Sequence, residues 1–222
     1  MSTLETYKQL AGMFAVKIKH NVEDMYGYYM GTKTKFSVDR VNKITVEGED
    51  IHIPRVSCLQ KVSLYLSNAT LITEEYGFKI YIGNSWNASN LDFLKQNEID
   101  RILNVSIEVP NFFENNIHFD YRRYAIRDIS EQPIDFSTLV QFCQDAIQHS
   151  PNILIHCFMG ASRSVLVCLV ILSILSKKYD EEQKTTEELY QLILSKRPKV
   201  HINKTFFKKW KEFNENAIMK SH

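Results

Sequence analysis

Apolar positions along the chain recur with two periods, and they divide it into elements. Asn152-Ile153-Leu154-Ile155 is a short apolar run that predicts a buried strand. Val165 to Leu175 is a near-continuous apolar run of 11 residues, too long for a typical buried strand, and Lys177-Lys178-Tyr179-Asp180 closes it, so it predicts a core helix. A tight loop joins the two. Helical spacing recurs at Phe136, Leu139, Val140, Cys143, Ala146 and Ile147 behind Asp135, a cap candidate. It recurs at Leu189, Leu192 and Ile193 behind Thr185-Thr186-Glu187-Glu188, which reads as a capping box, and that helix should stop before Pro198. A last helix carries Phe206, Phe207, Trp210 and Phe213 behind Asn203, and these aromatics read as core. A shorter one is expected near Leu91 to Gln96, after the capping candidates Ser89 and Asn90. Tyr124 to Pro133 ends an alternating strand and opens a polar loop.

The first 76 residues carry no motif that attaches to chemistry, yet they are not of low complexity. Leu4, Tyr7, Leu10, Ala11, Phe14 and Ile18 suit one face of a helix, and Ile44 to Ile53 reads as a hairpin turning at Gly48. A segment of this size is near the lower limit for a free-standing domain, so it is expected to pack on the rest of the chain. Extra strands, a small module, or a docking or dimer surface are all open to it.

The loop between the buried strand and the core helix carries the chemistry. In His156-Cys157-Phe158-Met159-Gly160-Ala161-Ser162-Arg163-Ser164 a cysteine and an arginine stand at the two ends of one turn. The loop amides and the first turn of the helix offer unpaired N–H groups and the positive end of the helix dipole, so an anion is favoured there. One such anion is the thiolate of Cys157, a nucleophile. Another is a phosphoryl dianion, which Arg163 can grip through two parallel N–H bonds as a lysine could not. Gly160 lets the backbone turn its amides inward. His156 is expected to stiffen the loop by hydrogen-bonding to its backbone, and the hydroxyl of Ser164 to donate to the sulfur as it leaves phosphorus. Cysteine is often only a small buried hydrophobe, but the spacing to glycine and arginine in this context argues otherwise.

These residues, His156-Cys157-x-x-Gly160-x-x-Arg163-Ser164, resemble the signature loop of the cysteine-dependent protein phosphatases, and the Ser162-Arg163-Ser164 ending resembles the dual-specificity branch. Ile80-Tyr81-Ile82-Gly83-Asn84 is similar to the first strand of that domain, and Ile102-Leu103-Asn104-Val105 to the next. Arg197-Pro198-x-Val200-x-x-Asn203-x-x-Phe206 is similar to its closing helical segment. The resemblance covers residues 77 to 216, leaving 1 to 76 as an extension and 217 to 222 as a tail. It implies an α/β fold with a central mixed, mainly parallel sheet flanked by helices. It also implies no metal or other cofactor, a phosphocysteine intermediate, and phosphate binding by the loop from Phe158 through Met159, Gly160, Ala161 and Ser162 to Arg163.

Such an intermediate needs an acid to protonate the leaving oxygen. Asp128 lies where the family carries it, while Glu131 and Asp135 compete, Asp135 being the better helix cap. A loop aimed at phosphoinositides would gain from lysines where this chain has Phe158, Met159, Ala161 and Ser162, and an RNA 5′-phosphatase of the superfamily usually follows the arginine with Thr-Gly rather than Ser164-Val165. A phosphorylated protein is therefore the expected substrate. Pocket depth, set by loops around residues 83 to 90 and 110 to 116, decides between phosphotyrosine and phosphoserine or phosphothreonine. A module that holds phosphorylated partners without turnover, and an enzyme acting on RNA 5′ ends or another non-protein phosphate, stay open.

Composition adds boundaries. The chain has 222 residues, 44% of them hydrophobic, and 27 basic against 26 acidic residues, a net charge of +1 that gives no reason to expect nucleic acid or a membrane surface as partner. Arg122, Arg123 and Arg127 cluster before Asp128 and read either as an attractor for acidic segments or as a solvated strand face. Four cysteines (Cys58, Cys143, Cys157 and Cys168) make no disulfide framework, and Cys168 reads as packing. The N-terminus lacks a signal-peptide pattern, and a thiolate nucleophile needs a reducing compartment, so the expected location is the cytoplasm, with the nucleus also open. The glycosylation patterns at Asn68, Asn87, Asn104 and Asn203 are then chance.

Overall fold

The computed structural model describes residues 43–46, 49–52 and 67–219. The chain divides into two compact units, residues 1–66 and 67–222. In the first, β1 (Lys43–Val46) pairs antiparallel with β2 (Glu49–His52), Val46 opposite Glu49, within the segment where a hairpin is expected; Gly48, its expected turn, lies outside the described residues. The expected helix over residues 4 to 18 and Cys58 lie outside the described residues.

The second unit is built on a five-stranded sheet of β3 (Thr70–Thr73), β4 (Lys79–Gly83), β5 (Arg101–Ser106), β6 (Asp120–Ile126) and β7 (Asn152–His156), in the order β3-β4-β7-β5-β6. Only β3 runs antiparallel, so the sheet is mixed and mainly parallel. It begins earlier than the boundary at residue 77. Thr70–Thr73 folds back on β4 through a turn in which Tyr76 (φ 58°) and Gly77 (φ 80°) take left-handed conformations. A four-residue strand leaves almost no periodic signal, and only its partner across the turn reveals it.

Six helices follow the strands: α1 (Ser85–Ser89), α2 (Leu91–Gln96), α3 (Phe136–His149), α4 (Arg163–Tyr179), α5 (Thr186–Lys196) and α6 (Lys204–Met219). The expected caps are in place. Asp135 accepts from the amides of Ser137 and Thr138, Thr185 and Glu188 close a reciprocal box, and Asn90 and Asn203 head α2 and α6. α1 occupies part of the segment expected as loop; Asn84 and Asn87 box its start, and five residues are too few to show a 3.6 period.

Because side chains alternate along a strand, the buried strands feed two cores. Ile80, Ile82, Leu103, Val105, Ile153 and Ile155 meet α3 to α6 on one face, whereas Tyr81, Ile102 and Leu154 meet Ala88 of α1 and Leu94 of α2 on the other. α4 is apolar nearly all round because both its neighbours and the sheet enclose it: thirteen of its residues from Arg163 to Ser176 are buried. Each fully buried aliphatic side chain there contributes on the order of 1.5–3 kcal/mol. That burial fixes where α4 begins, and with it the loop that precedes it.

Candidate active site

The sheet ends its three central strands together. Gly83 of β4 and Asn104 of β5 both stand in register with His156, the last residue of β7. The carboxyl end of β7 thus lies between the ends of β4 and β5, the usual position of a ligand site in an open α/β sheet.

Residues 157 to 162 follow β7 there, and their carbonyls point outward. The Phe158 carbonyl accepts from the Ser85 amide (3.2 Å), that of Gly160 from Nε of Arg197 (3.0 Å), and that of Ala161 from the His201 amide (2.9 Å). A trans peptide sets N–H opposite to C=O, so the amides of Met159, Ala161 and Ser162 turn into the loop. Ser162 heads α4 without capping it, which leaves the first-turn amides directed at the same space. Gly160 takes φ +69°, and a Cβ there would stand 2.5 Å from the carbonyl oxygen of Gly83. Gly160→Ala is therefore expected to push the loop off β4 and abolish tight binding of inorganic vanadate. Titration of the variant with vanadate checks this.

Cys157 is buried at the base of the ring of amides. Its sulfur accepts from the Gly160 amide (3.2 Å) and lies 3.4 Å from the hydroxyl of Ser164. Both are placed to stabilise a sulfur anion. His156 is buried, and its ring packs edge-on against Tyr121 and interacts with the Cys157 backbone. Burial pushes its pKa down to about 3, against a smaller upward pull from the Cys157 backbone, so the ring is a neutral packing element beneath the loop.

Arg163, also buried, is locked before any ligand arrives. Nη1 and Nη2 donate to the two carboxylate oxygens of Glu108 at 2.7 and 2.5 Å, and Nη1 also donates to the Ile126 carbonyl at 3.0 Å. Burial opposes its charge, and the bonds to Glu108 together with the charges of Cys157, Glu108 and Asp128 outweigh that, pushing its pKa up. Glu108 is itself set by Asn104, whose amide nitrogen donates to the Val109 carbonyl and to Asn111 and whose oxygen accepts from the amide and hydroxyl of Ser106. Arg123 donates to the carbonyls of Ser106 and Ile107 in the same turn.

The candidate acids separate clearly. Asp128 leaves the end of β6 and reaches the loop: Oδ1 accepts from the Ser162 hydroxyl at 2.8 Å, and Oδ2 lies 3.6 Å from Nε of Arg163. Asp135 is committed to its cap, where Thr138 holds its carboxyl below the usual carboxylate range. Glu131 is exposed in the intervening turn. The basic cluster resolves largely into local pairing, with Arg122 on Asp120 and Arg123 on backbone carbonyls. Cys143 and Cys168 are buried thiols whose pKa values burial pushes up, in keeping with packing.

Two functional contributors were missed from sequence. Glu108 had a signal: it is a lone acid inside the apolar stretch from Val105 to Val109, where a buried charge needs a partner. Arg197 was visible only as part of a motif, because its contacts lie 37 to 130 positions away.

Comparison with known proteins agrees with this geometry. A family model described as dual specificity phosphatase, catalytic domain, matches residues 80–216. Human dual specificity protein phosphatase 9 is 29% identical over 139 residues, 62% of this chain and 35% of that protein. Human dual specificity protein phosphatase 6 is 36% identical over 95 residues, 42% of this chain and 25% of that one. The chain thus spans only part of the length of these relatives. A mouse putative dual specificity phosphatase, crystallised with zinc tungstate, superposes with a TM-score of 0.57 at 19% identity, covering 69% of this chain and 90% of that one. The sequence match and the shared fold rest on the same strands, loop and helices that frame Cys157. The chain belongs to the dual-specificity phosphatase family, with the catalytic domain over residues 80–216.

Proposed function

We propose that this chain removes phosphate from phosphorylated proteins through a phosphocysteine intermediate. The observation that carries the reading is the ring of inward amides around a buried sulfur, closed by an arginine already fixed in place. The Cys157 thiolate attacks phosphorus in line, forming the S–P bond as the P–O bond to the substrate breaks. The leaving oxygen takes its proton from Asp128, and the amides with Arg163 hold the charge of the equatorial oxygens. Water then attacks phosphorus and gives a proton to Asp128. The S–P bond breaks, and the Ser164 hydroxyl donates to the departing sulfur. Tungstate, bound by the mouse fold relative, is a tetrahedral oxyanion of the kind such a ring fits.

Met159 and Ile129 are exposed apolar side chains, one in the loop and one next to Asp128. That favours an amino-acid side chain over an inositol ring. Thiolate chemistry needs a reducing compartment, which supports a cytoplasmic location, and among the described residues no helix is long and apolar enough to cross a membrane.

The purified protein is expected to hydrolyse a small aryl phosphate without added metal and to be inhibited by vanadate. Phosphopeptides assayed beside triphosphate-ended RNA should show turnover of the peptides; preference for the RNA would reject the protein substrate, and an inert protein that retains phosphopeptide would reject turnover. Asp128→Ala is expected to lower kcat about 10²–10⁴-fold on an alkyl phosphate and much less on a nitrophenyl phosphate, whose leaving group needs no proton. Equal losses on both substrates would move the acid elsewhere.

A further inference from the structure

Gly160 is held from both sides. Its N–H donates to the Cys157 sulfur at 3.2 Å, and its carbonyl accepts from Nε of Arg197 at 3.0 Å. Arg197 is buried at the end of α5, and its other bonds go to the Asn68 carbonyl (2.9 Å), the Thr70 hydroxyl (2.8 Å) and the Ser67 hydroxyl (3.4 Å), all on or just before β3. Every one of these acceptors is neutral. Arg163 is in the opposite situation, because Glu108 takes both terminal nitrogens and Asp128 lies 3.6 Å from Nε. Among the described residues, the charged groups around Cys157 are thus Arg163 with its two carboxylates from the β5–β6 and β6–α3 connections, and Arg197 with none; His156, from β7, is neutral. A buried cation with neutral partners is costly unless an anion nearby offsets it.

We propose that Arg197 is a positioning residue that supplies the uncompensated positive charge favouring the Cys157 thiolate and, by holding the Gly160 carbonyl outward, turns the Ala161 N–H into the loop, while Arg163, paired with Glu108, serves the phosphate. Burial pushes the pKa of Arg197 down, and the pull that opposes this comes from Cys157. The assignment rests on the proposed thiolate chemistry. It also ties the start of the catalytic unit, residues 67–70, to the outer side of the phosphate loop through one guanidinium.

The test is the pH dependence of Cys157 alkylation by iodoacetamide in the full chain without substrate, followed by mass spectrometry of the Cys157 peptide. Arg197→Met is expected to raise the midpoint by about one pH unit, slowing alkylation about tenfold below it. Arg163→Met/Glu108→Gln, which removes a neutral pair, is expected to leave the midpoint close to wild type while turnover is lost. A folded Arg197→Met protein with the wild-type midpoint would overturn the assignment, as would the double variant moving it as far. Should Arg197→Met not fold, Arg197→Lys decides: the charge stays, but one ammonium cannot span Gly160 and Thr70. An intermediate midpoint and a lower kcat at similar KM are expected, and wild-type values of both would overturn the assignment. Aryl phosphate turnover by the wild type is read separately, so its absence would reject the proposed reaction without deciding the thiol result.

Discussion

Cys157→Ser protein is expected to lose aryl phosphate turnover by about 10⁴-fold or more while still binding inorganic phosphate. A serine fits the space, since the sulfur is buried and the change removes little volume. It nevertheless has nothing to activate it. A hydroxyl attacks only when a base takes its proton, and the polar neighbours at this position are an amide N–H and the hydroxyl of Ser164, neither of them a base. His156 is adjacent in sequence, but its ring is buried against Tyr121, and its polar interaction is with the Cys157 backbone. A thiol is intrinsically far more acidic and more nucleophilic than a hydroxyl, so it needs no such base. The amides of Met159, Ala161 and Ser162 and the Arg163 fork are untouched by the change, so phosphate binding should survive it. Steady-state rates with an aryl phosphate, paired with phosphate binding by calorimetry, check both halves. Turnover within an order of magnitude of wild type would reject the nucleophile.

Arg163→Met is expected to act on activity and on stability together. The guanidinium and the Glu108 carboxylate are both buried and bonded to each other at two points, so removing the arginine strips a buried carboxylate of its bidentate partner, a loss of about 3–5 kcal/mol. Activity should fall about 10³-fold or more because the two-point grip on the equatorial oxygens goes with it. The two effects can be separated. Adding Glu108→Gln to Arg163→Met removes the buried charge that has lost its bidentate partner, so thermal unfolding should return part of the way to wild type while turnover stays lost. If the double variant is as unstable as the single one, the cost lies in packing of the arginine stem and not in the charge. If it recovers activity, Arg163 is not the phosphate clamp.

Legibility followed the sequence distance over which each feature is made. The caps at Asp135, Thr185 and Asn203 act on amides two or three positions away, and all three were readable from residue type and spacing. The turn of the loop was readable too, because a glycine between a buried strand and an apolar helix is a local signal, and Gly160 does adopt the left-handed conformation. The surroundings of His156 are something that spacing cannot show. Tyr121, from β6, covers the ring, and no residue near position 156 in sequence announces it. The β3 strand was missed because its pairing partner lies beyond a turn with positive φ at Tyr76, a residue that seldom adopts it.

By itself the sequence determined the chemical unit: which residue can attack, which can grip an anion, and that a strand and a buried helix hold them at the two ends of one loop. Those features depend on residue type and on periods of two and 3.6, which are local. Only the tertiary structure decided how the unit is charged and aimed. Asp128 meets the loop through Ser162, 34 positions away; Glu108 neutralises Arg163 from 55 positions away; and Arg197 fastens Gly160 to the first strand across 127. Each of those contacts needs the sheet order β3-β4-β7-β5-β6 to bring distant strand ends to one place. The electrostatic balance at the sulfur is a sum over groups that meet only after folding, because charge acts through space and not along the chain.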